Sequence, residues 1–231
     1  MTTILITGGN KGLGYESARR LAGNGHRVIL GVRDTARGAE AAEQLGVEWT
    51  AIDVASDKSV AAAAEDVTAR FGALDVLINN AGISGPITAM KNFDGPAVLT
   101  VLDTNTVGIV RTIHAFLPLL QRSPAPVVVN VSSGLGSFDV RADASRVEHG
   151  VPSLGYSASK AAVNMLTTIY AQFLPDIRIN AVDPGYTATD FNGKTGTQTV
   201  TEGTDAIVAM ASIDAHGPTG TFSDRHGAVR W

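Results

Sequence analysis

The feature that most restricts how this 231-residue chain can fold is a repeated pairing of a short apolar run with a turn and a stretch of helical period. The runs are Ile4 to Ile6, Val28 to Val32, Trp49 to Ile52, Val76 to Ile78, Val127 to Val131 and Ile177 to Val182. Strands that alternate with helices in this way run parallel, and helices cover both faces of their sheet. The helix candidates are Tyr15 to Gly23, Ala36 to Leu45, Lys58 to Phe71, Val98 to Leu120, Ser157 to Leu174 and Thr201 to Ala211. Pro118 and Pro175 are expected to end the two long ones. A last strand around Thr219 to Phe222 brings the sheet to about seven strands. The expected class is therefore α/β.

No repeat or low-complexity linker interrupts the pattern, so residues 1–231 are expected to form one domain. With 18 Lys and Arg against 22 Asp and Glu, the net charge is -4. That balance lacks the basic footprint of a nucleic-acid or anionic-membrane binder. The absence of cysteine excludes disulfides, thiolate metal sites and a cysteine nucleophile together. The five histidines show no ligand spacing that suggests zinc, and no metal is expected. No apolar run reaches the roughly 18 residues of a membrane span, and Met1 to Thr7 lacks the basic and apolar regions of a signal peptide. A cytoplasmic protein is the expectation. Two stretches break the rhythm: Gly134 to Ser153, polar and charged, and Phe191 to Val200, rich in Gly and Thr. Both read as mobile surface segments near the carboxyl ends of strands, where an open α/β sheet binds ligands.

The first strand ends in Thr7-Gly8-Gly9-Asn10-Lys11-Gly12-Leu13-Gly14, and a helix follows. Residues without Cβ atoms let a backbone approach a pyrophosphate, and a helix amino terminus offers free N–H groups and a positive dipole end. The spacing G-x-x-x-G-x-G differs from G-x-G-x-x-G, and the loop lacks the Lys-Ser/Thr ending of a triphosphate-binding loop. Taken alone, such glycines could equally make only a turn.

Three further motifs follow in order: Asn79-Asn80-Ala81-Gly82, Tyr156-Ser-Ala-Ser-Lys160 and Asp183-Pro184-Gly185-Tyr-Thr-Ala-Thr189. With the glycine loop they resemble the short-chain dehydrogenase/reductase family over nearly the whole chain. The wording of the loop is similar to the carbonyl-reductase branch. The resemblance implies a Rossmann-type, doubly wound sheet and hydride transfer between a nicotinamide dinucleotide and a small carbonyl or alcohol.

It also implies roles. Gly8, Asn10, Lys11, Gly12, Leu13 and Gly14 would hold the pyrophosphate. In the family, an acid closing the second strand binds the ribose hydroxyls of NAD(H). Here Val32 holds that place and Arg33 follows. A guanidinium matches a 2′-phosphate with two parallel hydrogen bonds, and Lys11 adds a point charge, so NADP(H) is favoured over NAD(H). Asp34 beside Arg33 could partly cancel its field. Asp53 and Val54 would meet the adenine, although an Asp in such a loop also serves as a cap or turn acid. Asn80, Ala81 and Gly82 would support the ribose, while Pro184, Gly185, Thr187 and Thr189 would fix the carboxamide.

Tyr156 and Lys160 lie at i and i+4 and share one helix face. A phenol with a pKa of about 10 is a poor base at neutrality, and a nearby ammonium would lower it. Tyr156 is thus the expected acid/base, and Lys160 would also bind the nicotinamide ribose. Of Ser132 and Ser133, neighbours on a strand that point to opposite faces, family position selects Ser133 to bind the substrate oxygen. Asn105 matches the helix asparagine that supports the lysine.

One departure stands out. Ser133 and Tyr156 are 23 residues apart, against about a dozen in much of the family by that resemblance, so an insert lies between them. It reads as either a substrate lid or a shield over a helical surface, which leaves monomer and homo-oligomer both open. His149 within it could touch substrate. The competing expectations are a dinucleotide-binding sensor or partner protein without turnover, and an NAD-dependent alcohol dehydrogenase.

Overall fold

The computed structural model describes all residues, 1–231. Eight strands form one sheet: β1 (Thr3–Thr7), β2 (Arg27–Val32), β3 (Glu48–Ala51), β4 (Val76–Asn79), β5 (Val127–Val131), β6 (Arg178–Val182), β7 (Phe222–Asp224) and β8 (Gly227–Ala228). Their order is β3-β2-β1-β4-β5-β6-β7-β8, parallel throughout except for β8 against β7. The sheet expected to hold about seven strands thus has an eighth, and β7 begins at Phe222 instead of near Thr219. The eighth strand has a local cause. The Asp224 carboxylate accepts from the N–H groups of His226 and Gly227, closing a tight turn that folds the chain back as a hairpin.

Strand alternation divides the core into two layers. Ile4, Ile6, Val127, Val129 and Val131 face one side, where they meet Ala18, Leu21, Ala41 and Ile207. Leu5, Leu77, Val128 and Ile179 face the other, against Val60, Val67, Phe116 and Val163. Six near-continuous apolar strands are what two covered faces require. Phe116 is wholly buried, and its truncation to alanine would cost roughly 3–5 kcal/mol.

The helices are α1 (Gly12–Gly23), α2 (Thr35–Leu45), α3 (Asp57–Phe71), α4 (Gly95–Leu102), α5 (Gly108–Leu120), α6 (Phe138–Ala142), α7 (Leu154–Phe173), α8 (Val200–Gly203) and α9 (Asp205–Ala211). The helix expected over Val98 to Leu120 is therefore two, joined by a π-helical turn over Asp103–Val107. Pro118 lies inside α5, not at its end, because the buried Leu119 and Leu120 hold the last turn in place. Thr201 to Ala211 likewise divides at Thr204, whose hydroxyl donates to the Thr201 carbonyl at 2.8 Å and accepts from Arg20.

The strand order reverses between β1 and β4: β2 and β3 follow β1 outward on one side, and β5 and β6 follow β4 outward on the other. A crevice at the carboxyl ends of these strands follows from that reversal. No helix of the chain is long and apolar enough to cross a membrane.

Candidate active site

The glycine loop lies at that crevice. Gly8 and Gly12 have φ values of +68° and +55°, a region that suits glycine. Gly14 is needed for space: a Cβ there would lie 2.4 Å from the Gly8 carbonyl oxygen and 2.6 Å from Asn80 Nδ2. Asn80 ties the loop to β4 by donating to the Thr7 and Gly8 carbonyls at 2.9 and 3.2 Å. The N–H groups of Asn80 and Ala81 both donate to Thr7 Oγ1 at 3.0 Å. At the start of α1, Lys11 makes no side-chain cap, so the amides of Gly12, Leu13 and Gly14 keep the free donors of a first helical turn. This cradle, open to an anion and closed to a Cβ, fits a pyrophosphate.

At the end of β2, Arg33 is exposed and forms no ion pair, and the same holds for Lys11. Asp34 turns away from Arg33: it caps α2 by accepting from Arg37 N at 3.2 Å, and it pairs with the Arg37 guanidinium at 3.4 Å. The partial cancellation considered for Arg33 is taken up by Arg37, a cation that the sequence reading passed over. Asp53 closes its own turn, its Oδ1 accepting from Ala55 N at 3.0 Å, while Ser56 caps α3. Val54 is buried against Gly108.

Asn105 lies in the π-helical turn, a local widening that often accompanies function. Its amide is fixed on three sides: Nδ2 donates to the Ile83 carbonyl at 2.9 Å and to Ser159 Oγ at 3.0 Å, and Oδ1 accepts from Ile83 N at 2.8 Å. Both its Oδ1 and Lys160 Nζ border Gly82.

Tyr156 and Lys160 share a face of α7, with Nζ 5.5 Å from the phenol ring centroid. Lys160 is buried and donates to the Val131 carbonyl at 2.7 Å. Burial pushes its ammonium down to about 8, with the charge of Asp183 acting in the opposite direction. Burial raises the Tyr156 phenol above its ordinary value, Asp183 adds to the rise, and a hydrogen bond with Ser133 opposes it. Desolvation of the phenol outweighs the lowering expected from the Lys160 ammonium, whose Nζ is held by a carbonyl on β5.

The two serines separate as strand alternation requires. Ser132 points into the protein, donating to Asn164 Oδ1 at 2.5 Å, and Asn164 Nδ2 in turn donates to the Gly136 carbonyl at 3.2 Å. Ser133 Oγ instead accepts from Leu135 N at 3.2 Å and lies on the side of the Tyr156 phenol, close enough to oppose its rise. Gly136 allows this junction, since a Cβ there would fall 2.5 Å from the Lys160 carbonyl carbon.

The family model for the short chain dehydrogenases matches residues 2–200. The chain belongs to that family. Among curated relatives, short-chain dehydrogenase/reductase 1 of Saponaria officinalis is 36% identical, the match covering 96% of this chain and 93% of that one. A (+)-neomenthol dehydrogenase of Capsicum annuum is 32% identical over 94% of each. Among solved structures, the NADPH-bound carbonyl reductase from chicken fatty liver superposes with a TM-score of 0.89 at 26% identity, covering 100% of this chain and 99% of that one.

Within this short-chain dehydrogenase, the segment after β6 departs in detail from the sequence reading. Thr187 is buried and its hydroxyl donates inward to the Pro184 carbonyl at 3.0 Å. Thr189 packs 3.7 Å from the position of a Cβ on Gly12, so the segment folds back over the glycine loop. Phe191 approaches Tyr156, ring centroids 5.6 Å apart, a contact between residues 35 positions apart that no local motif announces. The stretch from Gly134 to Ser153 is organised, not irregular. Arg141 reaches the Glu148 and Val151 carbonyls, and Ser137 Oγ donates to the Arg230 carbonyl at 2.7 Å. His149 is exposed and rests on the Arg141 carbonyl.

Proposed function

We propose that the chain is an NADP(H)-dependent carbonyl reductase, one unit in which both cofactor and substrate sites lie along the crevice. The observation that carries this reading is the convergence of Ser133, a proton-bearing Tyr156 and Lys160 at the carboxyl end of β5, beside a cradle built for a pyrophosphate. The nicotinamide would supply or accept the hydride. Gly8, Asn10, Gly12, Leu13 and Gly14 bind the pyrophosphate, while Lys11 and Arg33 meet a 2′-phosphate with charges that no carboxylate takes up. Asp53 and Val54 border the adenine, and Asn80, Ala81 and Gly82 the ribose. Pro184, Gly185, Thr187 and Thr189 lie along the carboxamide, with Thr187 contributing through its backbone.

Ser133 orients the substrate oxygen. The phenol of Tyr156, which burial and Asp183 keep protonated at neutral pH, gives its proton to the oxygen as an alkoxide develops there. Lys160 holds the ribose and, as an ammonium below about pH 8, favours the phenolate left behind. Asn105 fixes the π-helical turn beside it. Phe191 gives the substrate side an apolar wall, which fits aldehydes, ketones and quinones. The likeness to a neomenthol dehydrogenase and to an NADPH-bound carbonyl reductase supports this substrate class and cofactor. The converged site argues against a non-catalytic sensor.

The test compares the native chain with Tyr156→Phe. NADPH binding, followed by its fluorescence, should survive, and NADPH consumption with a panel of carbonyls should fall about 10²–10⁴-fold. Comparable turnover by both proteins, or binding without turnover in both, would contradict the assignment.

A further inference from the structure

Asp183 is a buried carboxylate to which the scheme above gives only the effect of its charge on Tyr156. It follows β6, and its two oxygens point to different parts of the site. Oδ1 accepts from Gly185 N at 2.9 Å, in the Pro184–Gly185 segment. The other side meets Gly134, the residue after Ser133: the Gly134 N–H lies toward the carboxylate, and Oδ2 lies 3.0 Å from where a Gly134 Cβ would be. Glu148 Oε1 lies 3.1 Å from that same point, so the insert brings a second carboxylate against the first.

We propose that Asp183 is a positioning residue, a carboxylate clamp that sets the Ser133–Gly134 turn against the Pro184–Gly185 segment, and that the insert controls the clamp through Glu148. The proposal deepens the reductase reading and rests on it. Two backbone N–H groups need an acceptor with two free oxygens, and an ionised carboxylate supplies both. A protonated acid offers an O–H that competes for one of those places, so the clamp weakens on protonation.

The charged neighbours set where that happens. Tyr156 and Lys160 face Asp183 from α7, Glu148 and Arg146 from the insert, Asp224 from β7, and Arg225 and His226 line the same pocket from the turn after β7. Arg146 is bound to Glu148 at 3.4 Å, and Asp183 forms no ion pair. Burial, with the like charges of Glu148 and Asp224, raises the Asp183 carboxyl above the ordinary carboxylate range, against the effect of the two N–H donors. Activity should therefore fall as pH drops through this raised value.

The experiment measures kcat for carbonyl reduction and the NADPH dissociation constant across acid to neutral pH, in the native chain, Glu148→Gln and Asp183→Asn. Removing the Glu148 charge should move the acid limb to lower pH and leave the neutral plateau unchanged, because Glu148 takes no part in the reaction. Asp183→Asn should flatten the limb and lower the plateau roughly ten- to a hundredfold, with one amide oxygen unable to serve both donors. Glu148→Gln lies outside the core and keeps the proposal testable if Asp183→Asn does not fold. An acid limb unmoved in Glu148→Gln would overturn the clamp, as would one retained in a folded Asp183→Asn. If the native chain reduces no carbonyl, the reductase reading fails separately. The clamp is then read from NADPH affinity, which should weaken in acid with a midpoint that Glu148→Gln lowers; an unmoved midpoint overturns it.

Discussion

The amino-terminal half of the crevice and its carboxyl-terminal half are built by different means. Around β1, α1 and β4 the cradle is made of backbone: glycines at positive φ, the free amides of α1, and the Asn80 side chain holding two carbonyls. Around β5, α7 and the segment after β6 the site is made of side chains held by other side chains, as in Ser132 to Asn164 and Asn105 to Ser159. A backbone site tolerates little change of shape. A side-chain site tolerates changes of shape and is sensitive to charge and hydrogen-bond chemistry.

Gly14→Val should show the first property most strongly. The added atoms meet the Gly8 carbonyl, which cannot move without the loop, so NADPH binding should be lost and stability should drop by about 1–3 kcal/mol. Titration by fluorescence and a thermal melt read the two effects. Binding retained within a few-fold would show that the loop is not the rigid element.

The second property predicts opposite behaviour for adjacent serines. Ser133→Ala should lower kcat roughly 10²–10³-fold with stability and NADPH binding nearly unchanged. Ser132→Ala leaves Asn164 Oδ1 without its donor inside the protein. It should destabilise the chain by about 1–3 kcal/mol and disturb kcat far less. If Ser132→Ala is the inactive one, the strand presents its other face to the substrate and the site must be rebuilt.

What the sequence revealed followed the same division. The glycine loop and the Tyr156/Lys160 pair are local, so spacing alone suggested their geometry, while strand parity showed that one of Ser132 and Ser133 faces the site and family position chose Ser133. Contacts between distant segments were not legible. Arg37 taking Asp34 away from Arg33 depends on how α2 begins, and Phe191 against Tyr156 depends on a fold-back fixed by Thr187 and Asn192. The π-helical turn at Asn105 was read as part of one continuous helix, because hydrophobic period does not register a single widened turn. The raised phenol of Tyr156 was missed for a related reason: spacing places the ammonium nearby but gives neither its hydrogen bond to Val131 nor the desolvation around the phenol.

Cofactor choice joins the two halves, because Arg33 and Lys11 sit in the backbone-built half while the reaction is carried out in the other. The most direct measurement is therefore initial rates with NADPH and with NADH over aldehydes, ketones and quinones, for the native chain and Arg33→Asp. The account expects the native chain to reduce carbonyls with NADPH preferred about tenfold or more, and Arg33→Asp to shift that preference towards NADH with the carbonyl range unchanged. Equal use of both cofactors, or a preference that Arg33→Asp leaves in place, would contradict the phosphate assignment. No reduction of any carbonyl with either cofactor would contradict the account at its centre.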